Sequence, residues 1–274
     1  MPFYLSLSIL IFSLGLIIDS AEILTNFNLY NKGLISDIYI KNKYRKSTES
    51  ITKLVIFFST SEIFRKITTL RLIISTLLLL DVFLNFFQII PSNNTIFPSI
   101  LFFFIILIEL VIRLRNKFGL TAADNVNFYI SIVFFVALLL KNTAFLHYIS
   151  IYIVISYFLT GYNKLFSIFW RNGTAITQVL STETFGSFYL FKLMLKYKRL
   201  SFIMSWMLII FQLLFIISIP SPDLLIVFLI IGIIFHLSLA IIMKLYNFLF
   251  SFLATYPILY FSSLTLNHLI LSSI

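Results

Sequence analysis

Along the chain, long apolar runs almost free of charge alternate with short polar interruptions. A helix needs about 20 predominantly apolar residues to cross the hydrocarbon of a bilayer. Eight stretches are read as such spans, at about 3–24, 68–90, 97–114, 126–140, 146–164, 201–219, 223–243 and 246–266. Residues 32–66 form the one long polar stretch. Within it, 51–64 (ITKLVIFFSTSEIF) is too short to span and is expected as an interfacial or re-entrant helix. Residues 183–199 (ETFGSFYLFKLMLKYKR) are amphipathic, with Lys192, Lys196, Lys198 and Arg199 towards one end, and are placed on the membrane surface or dipping into it. Turns beginning at Pro91 and Pro220 close the second and sixth spans, and Pro257 predicts a kink in the eighth. The expected fold class is all-α: a polytopic bundle of about eight transmembrane helices with one or two interfacial or re-entrant helices. It is expected as a single transmembrane domain over 1–274, with no soluble domain. The apolar start lacks a basic n-region and a clear cleavage site, so a retained first helix is expected.

Composition sharpens this picture. Sixty per cent hydrophobic residues, 11% charged residues and a mean hydropathy of +1.05 exclude the soluble globular class. The 33 Phe and 14 Tyr suit lipid-facing and interfacial positions. A net charge of +10 reads here as basic loops that orient helices and meet anionic headgroups, with no nucleic-acid partner expected. Counting Arg71 and Lys164 at helix ends, the loops after spans one, three, five and seven hold 19 of the 20 Lys and Arg, leaving Lys141 alone on the other side. That asymmetry places both termini outside and residues 157–175 near the cytoplasmic face. The absence of cysteine excludes disulfides, thiolate metal sites and cysteine nucleophiles. His147, His236 and His268 are widely spaced, so no metal site is expected.

Ionisable groups inside spans cost roughly 2.5–3.5 kcal/mol each at mid-helix, so each needs a reason. Glu109 has Arg113 one helical turn on, the spacing of an i,i+4 pair that neutralises both. Asp81 precedes Asn85 by four residues, and the two are expected to form a polar stripe facing the bundle interior. His236 near the middle of the seventh span is either a packing histidine satisfied across the bundle or a reactive group. Ser238 lies off its face. Lys164 ends the fifth span, where lysines routinely reach for the interface. Around it, Gly161 permits close backbone approach, Asn163 offers a neutral hydrogen-bonding neighbour, and Trp170 is expected to cap the site at headgroup level. Desolvation disfavours an ammonium, so a buried Lys164 is a candidate general base towards a membrane-dissolved acid such as a hydroquinone.

The run YFLTGYNKL (157–165), beginning at Tyr157, is followed by WRNGTA (170–175), which contains Asn172, Gly173 and Thr174. Together they resemble the Y-x-x-(A/T)-G-x-x-K-L…W-x-(D/N)-G-(T/Y)-A signature of the HTTM superfamily. That group includes vitamin K-dependent gamma-carboxylases and SdpB-type bacterial membrane proteins. Phe235 and His236, then Asn247, Phe248, Leu253 and Ala254, resemble a later pair of helices in the superfamily, and residues 6–35 resemble its start. The resemblance implies a bundle of about eight helices with Lys164 as catalytic base and His236 matching a family histidine. The cofactor it implies is a reduced quinone or vitamin K-type hydroquinone. Departures are specific: Asn163 stands where the carboxylases carry a second lysine. Their histidine on the fourth span falls near Val126, with Asp124 and Asn125 the nearest polar groups. No large extramembrane domain is expected, and the chain's size is nearer the SdpB type, which is linked to maturing a secreted peptide. The carboxylases also hold their lysine on the extracytoplasmic side, opposite to the side given by the charge count. The expectation is therefore a multi-pass protein of the bacterial inner membrane, engaged in quinol-linked or peptide-maturation chemistry. Its partners are the lipid bilayer and a secreted peptide or companion maturation protein. The alternative is a non-enzymatic membrane scaffold or immunity partner for a secreted peptide system.

Overall fold

A computed structural model describes residues 1–27, 60–89, 95–115, 120–182 and 186–273. The protein is all-α: the described residues are 87% helical, with no strand among them. Its α-helices among the described residues are α1 (Phe3–Thr25), α2 (Ser61–Phe86), α3 (Ile96–Arg115), α4 (Ala122–Leu139), α5 (His147–Phe166), α6 (Ile168–Arg171), α7 (Thr174–Leu180), α8 (Phe188–Lys196), α9 (Lys198–Ser218), α10 (Pro222–Met243), α11 (Tyr246–Leu253) and α12 (Tyr256–Ser272). Among the described residues eight stretches are long and apolar enough to cross a membrane: α1 to α5, α9, α10, and α11 with α12 taken together. The architecture is that of a multi-pass membrane bundle.

Span positions follow the apolar runs, and the differences lie at the ends. Residues 51–59 of the expected interfacial helix lie outside the described residues. From Ser61 the chain is already α2, so the end of that segment belongs to the second span. The amphipathic segment is a nine-residue helix, α8, and Lys198 and Arg199 open α9 instead of closing α8. Residues 183–185 are outside the described part. The eighth span breaks between Leu253 and Tyr256, and Pro257 sits in the first turn of α12, where its missing N–H would be unpaired in any case.

The helix starts follow local chemistry. Thr121 and Asp124 form a capping box at α4, each side chain bonded to the other's backbone N–H. Ser221 caps α10, ahead of Pro222 in its first turn.

The described residues group into two compact units. Unit 1 comprises Met1–Phe145 and Phe250–Ala254. Here α1 packs along α2, α2 on α3 and α3 on α4. The buried face of α2 holds Phe64, Thr68, Arg71, Ser75, Leu78 and Val82, in alternating steps of three and four. Its lipid-side counterparts, Ile73, Leu77 and Leu80, are exposed. Phe12, Phe102 and Phe134 form an aromatic contact among α1, α3 and α4. Unit 2 comprises Leu146–Leu249 and Thr255–Ile274. In it α5 packs on α9 and α12, and α10 on α9 and α12, closing a four-helix ring around a small interior.

Candidate functional site

The inward stripe of α5 carries Ser150, Ile153, Tyr157 and Gly161 at helical spacing, with Lys164 one turn further on. Gly161 meets α9 closely: a Cβ there would stand 3.0 Å from both the Gln212 Cβ and the Leu213 backbone nitrogen. That approach brings Gln212 beside the next turn of α5. Lys164 Nζ donates to Gln212 Oε1 at 3.0 Å, and its ammonium lies 4.8 Å from the Trp170 ring centroid. Lys164 is half-buried and pairs with no carboxylate among the described residues. Asn163 is exposed, so the neutral hydrogen-bonding neighbour of the amine is Gln212 across the helix interface rather than the preceding residue. Trp170 does cover the amine, as its place in the sequence suggests.

Two turns back, Tyr157 Oη lies 2.6 Å from His236 Nε2 and 3.3 Å from Tyr256 Oη. All three side chains are buried. Phe215 stacks on Tyr157 at 4.4 Å and 21°, while Phe235 and Phe248 flank the imidazole at 5.0 and 5.6 Å. Gly232, one turn before His236, makes room for the Tyr256 hydroxyl, since a Cβ there would fall 2.2 Å from it. His236 Nε2 thus has a tyrosine as its partner across unit 2. Ser238 turns back to the Phe235 carbonyl, off that face. Lys164 and His236 are not hydrogen-bonded to each other. Tyr157 and Lys164 are seven residues apart, about 10 Å along the helix axis at 1.5 Å per residue. The two groups are separate stations on one helix face.

The WRNGTA run is a tight turn. Gly173 has φ of 80°, and a Cβ on it would fall 2.5 Å from the Phe202 Cα. Asn172 Oδ1 accepts from the Thr174 N–H at 3.0 Å and from its hydroxyl at 2.8 Å. The Ser201 hydroxyl donates to the Gly173 carbonyl, and Trp206 Nε1 donates to the Arg171 carbonyl at 3.2 Å. The turn thus docks on the start of α9 and holds Trp170 over Lys164.

In unit 1, Arg71 pairs with two acidic side chains from neighbouring helices. Its Nη1 donates to Glu109 Oε1 at 3.0 Å, its Nη2 to Asp19 Oδ2, and its Nε to the Ser20 hydroxyl at 2.8 Å. This corrects the expected Glu109–Arg113 pair. Arg113 instead donates to Asn125 Oδ1 at 2.8 and 2.6 Å and lies over the Phe128 ring. A partner from the facing helix wins because Glu109 is buried, where Arg71 reaches it without leaving the interior. Asp81 is only half-buried, and the Asn85 amide turns to the Asp81 backbone carbonyl, so no side-chain bond links the expected stripe. Asp124 serves the α4 capping box. Among the described residues no cluster of His, Asp and Glu is placed to hold a metal ion.

Gln212 and Tyr256 are neutral and so carry no charge signal in the sequence, while Asp19 and Arg71 are charged residues of two different spans whose pairing the sequence does not show. The signal for Gln212 is an amide in the otherwise apolar interior of α9. Chemically, the Lys164 station offers an amine, an amide and an indole face. No family model matches the chain, and neither a curated protein nor a solved structure does so.

Proposed function

We propose that this integral membrane protein is an HTTM-type enzyme of the gamma-carboxylase/SdpB kind in which Lys164 acts as a membrane-edge base. The supporting observation is the half-buried Lys164 amine, held by a neutral amide and an indole instead of a carboxylate. A lysine paired with Asp or Glu would be fixed as a cation, whereas an amide carbonyl accepts a hydrogen bond from either protonation state. In this reading Gln212 fixes the position of Nζ, Trp170 excludes water and offers a face to a ring, and Gly161 sets the distance between the two helices. Lys164 Nζ takes the proton of a phenolic hydroxyl presented from the lipid and becomes the ammonium. A reduced quinone, when bound, supplies the acidic hydroxyl and the reducing equivalents. His236 is enclosed by aromatic rings and acts by positioning Tyr157 and α5 rather than by touching substrate.

The test is quinone bound to the purified full-length protein, measured by solvent extraction and chromatography. The wild type is expected to carry it near stoichiometrically, and Lys164→Ala to carry less. A quinone-free wild type that also fails to bind an added naphthohydroquinone would sink the reading. A second reading, a non-enzymatic scaffold or immunity partner for a secreted peptide system, draws on the WRNGTA turn, whose Arg171 and Gly173 carbonyls accept from α9. It expects peptide or companion-protein binding to survive Lys164→Ala.

A further inference from the structure

A cavity of about 370 Å³ lies in unit 2, lined by the 172–174 turn, α7, α8 and the start of α9. Lys164 is not among its lining residues. One wall is polar, with Asn172, Thr177, Gln178 and Ser201; the other is apolar, with Phe191 and Met194. Lys198 also lines it, an exposed cation without an ion pair among the described residues. The hydroxyls of Thr177 and Ser201 are engaged with each other and with the Gly173 carbonyl. Among the described residues the Lys198 ammonium, the Gln178 amide and the Asn172 Nδ2 are left as unspent donors, because Asn172 uses only its Oδ1 in the turn.

The surroundings say what such a site meets. From Lys164 to Pro222 the sequence holds six Lys and Arg against one carboxylate, Glu183, which lies outside the described residues. α8 is amphipathic, with Tyr189, Tyr197 and Lys192 exposed, the residue types that settle at headgroup depth. Lys192 and Lys196 lie over the rings of Phe188 and Tyr197, whereas Lys198 has no ring contact. A cleft with donors on one side, apolar side chains on the other and a basic rim is complementary to a phosphate-bearing headgroup still attached to its acyl chains. We propose that this cleft is a binding site for the headgroup of an anionic phospholipid, anchored by Lys198 and positioned by the turn at Gly173.

The chain's two tryptophans, Trp170 and Trp206, flank that turn, so its intrinsic fluorescence reports on the site. The full-length protein is reconstituted in vesicles of dibrominated phosphatidylcholine, which quenches indole. Unbrominated phosphatidylglycerol or unbrominated phosphatidylcholine is then titrated in. The anionic lipid is expected to restore fluorescence at a mole fraction about fivefold lower, the contribution of one interfacial lysine. Lys198→Gln is expected to abolish that preference, while Lys198→Arg and Lys192→Gln keep it. Equal potency of the two lipids on the wild type overturns the proposal, as does a preference that persists in Lys198→Gln. Loss of the preference in millimolar inorganic phosphate would assign the cleft to a soluble anion and overturn the lipid assignment.

Discussion

Tyr157 Oη and His236 Nε2 are hydrogen-bonded in the interior of unit 2 at 2.6 Å, on helices far apart in sequence. A polar side chain at membrane depth needs such a partner because no water is there to replace it. Tyr157→Phe is expected to cost about 1 kcal/mol, at the upper side of interhelical hydrogen bonds measured in membranes. Combining it with His236→Leu should cost less than the sum of the single changes, because both partners are then removed together. Unfolding in mixed micelles by titration with sodium dodecyl sulfate measures both. Additive effects would show that the two side chains are not coupled.

Gly161 and Gly173 are both glycines of close approach, yet they should respond differently to alanine. At Gly161 the obstruction is partly side chain, with contacts at 3.0 Å, and a small separation of α5 from α9 relieves it. At Gly173 the backbone is left-handed, and the new Cβ would face the backbone of Phe202 at 2.5 Å. Strain of that kind costs on the order of 1–3 kcal/mol before any clash is added. Gly173→Ala is therefore expected to lower the thermal stability of the purified protein more than Gly161→Ala. The reverse order would mean that the turn does not carry the packing of α9.

The spans were legible because an apolar run of sufficient length has few alternatives to crossing a bilayer. Helix rotation was not legible. In a span such as α10, lipid-facing and interior positions are both apolar, so no amphipathic stripe tells which way His236 faces. Partners drawn from neighbouring helices were hidden for the same reason. Arg113 is the obvious mate for Glu109 along one helix, but the observed mate is Arg71, on a helix whose rotation hydropathy does not encode. At the Lys164 station the amine and Trp170 were readable from local sequence. Gln212 was not, because it comes from 48 residues further along and is neutral.

The ionic group of unit 1 gives a test of that correction. Arg71 sits between Asp19 and Glu109, so Arg71→Ala takes the partner cation from the buried Glu109 and from the partly buried Asp19. Breaking a buried pair in this way costs about 3–5 kcal/mol. Arg113→Ala is expected to stay below about 1 kcal/mol, because it removes only a partly exposed contact with Asn125 and Phe128. The yield of folded protein by size-exclusion chromatography, followed by unfolding in mixed micelles, ranks the two variants. Comparable losses would restore Arg113 as the partner of Glu109.

The last prediction separates position from charge at Lys164. Gln212→Glu has nearly the same shape as the native residue and puts a carboxylate where the amide oxygen now accepts from Nζ. The pair would hold the lysine as an ammonium, while Gly161 and the α5–α9 contact are untouched. The fold is expected to survive, with thermal stability equal to or above that of the wild type. The amine should nonetheless lose reactivity, because an ammonium has no lone pair to offer. Acylation of Lys164 by a membrane-permeable active ester, read by peptide mass spectrometry, is expected to slow about tenfold or more, the effect of a shift of about 1.4 kcal/mol between protonation states. Gln212→Leu removes the hydrogen bond without adding charge, and its acylation should stay within a few-fold of the wild type. If Gln212→Glu reacts as fast as Gln212→Leu, the neutral surroundings of Lys164 are not what governs its chemistry, and the base role loses its support.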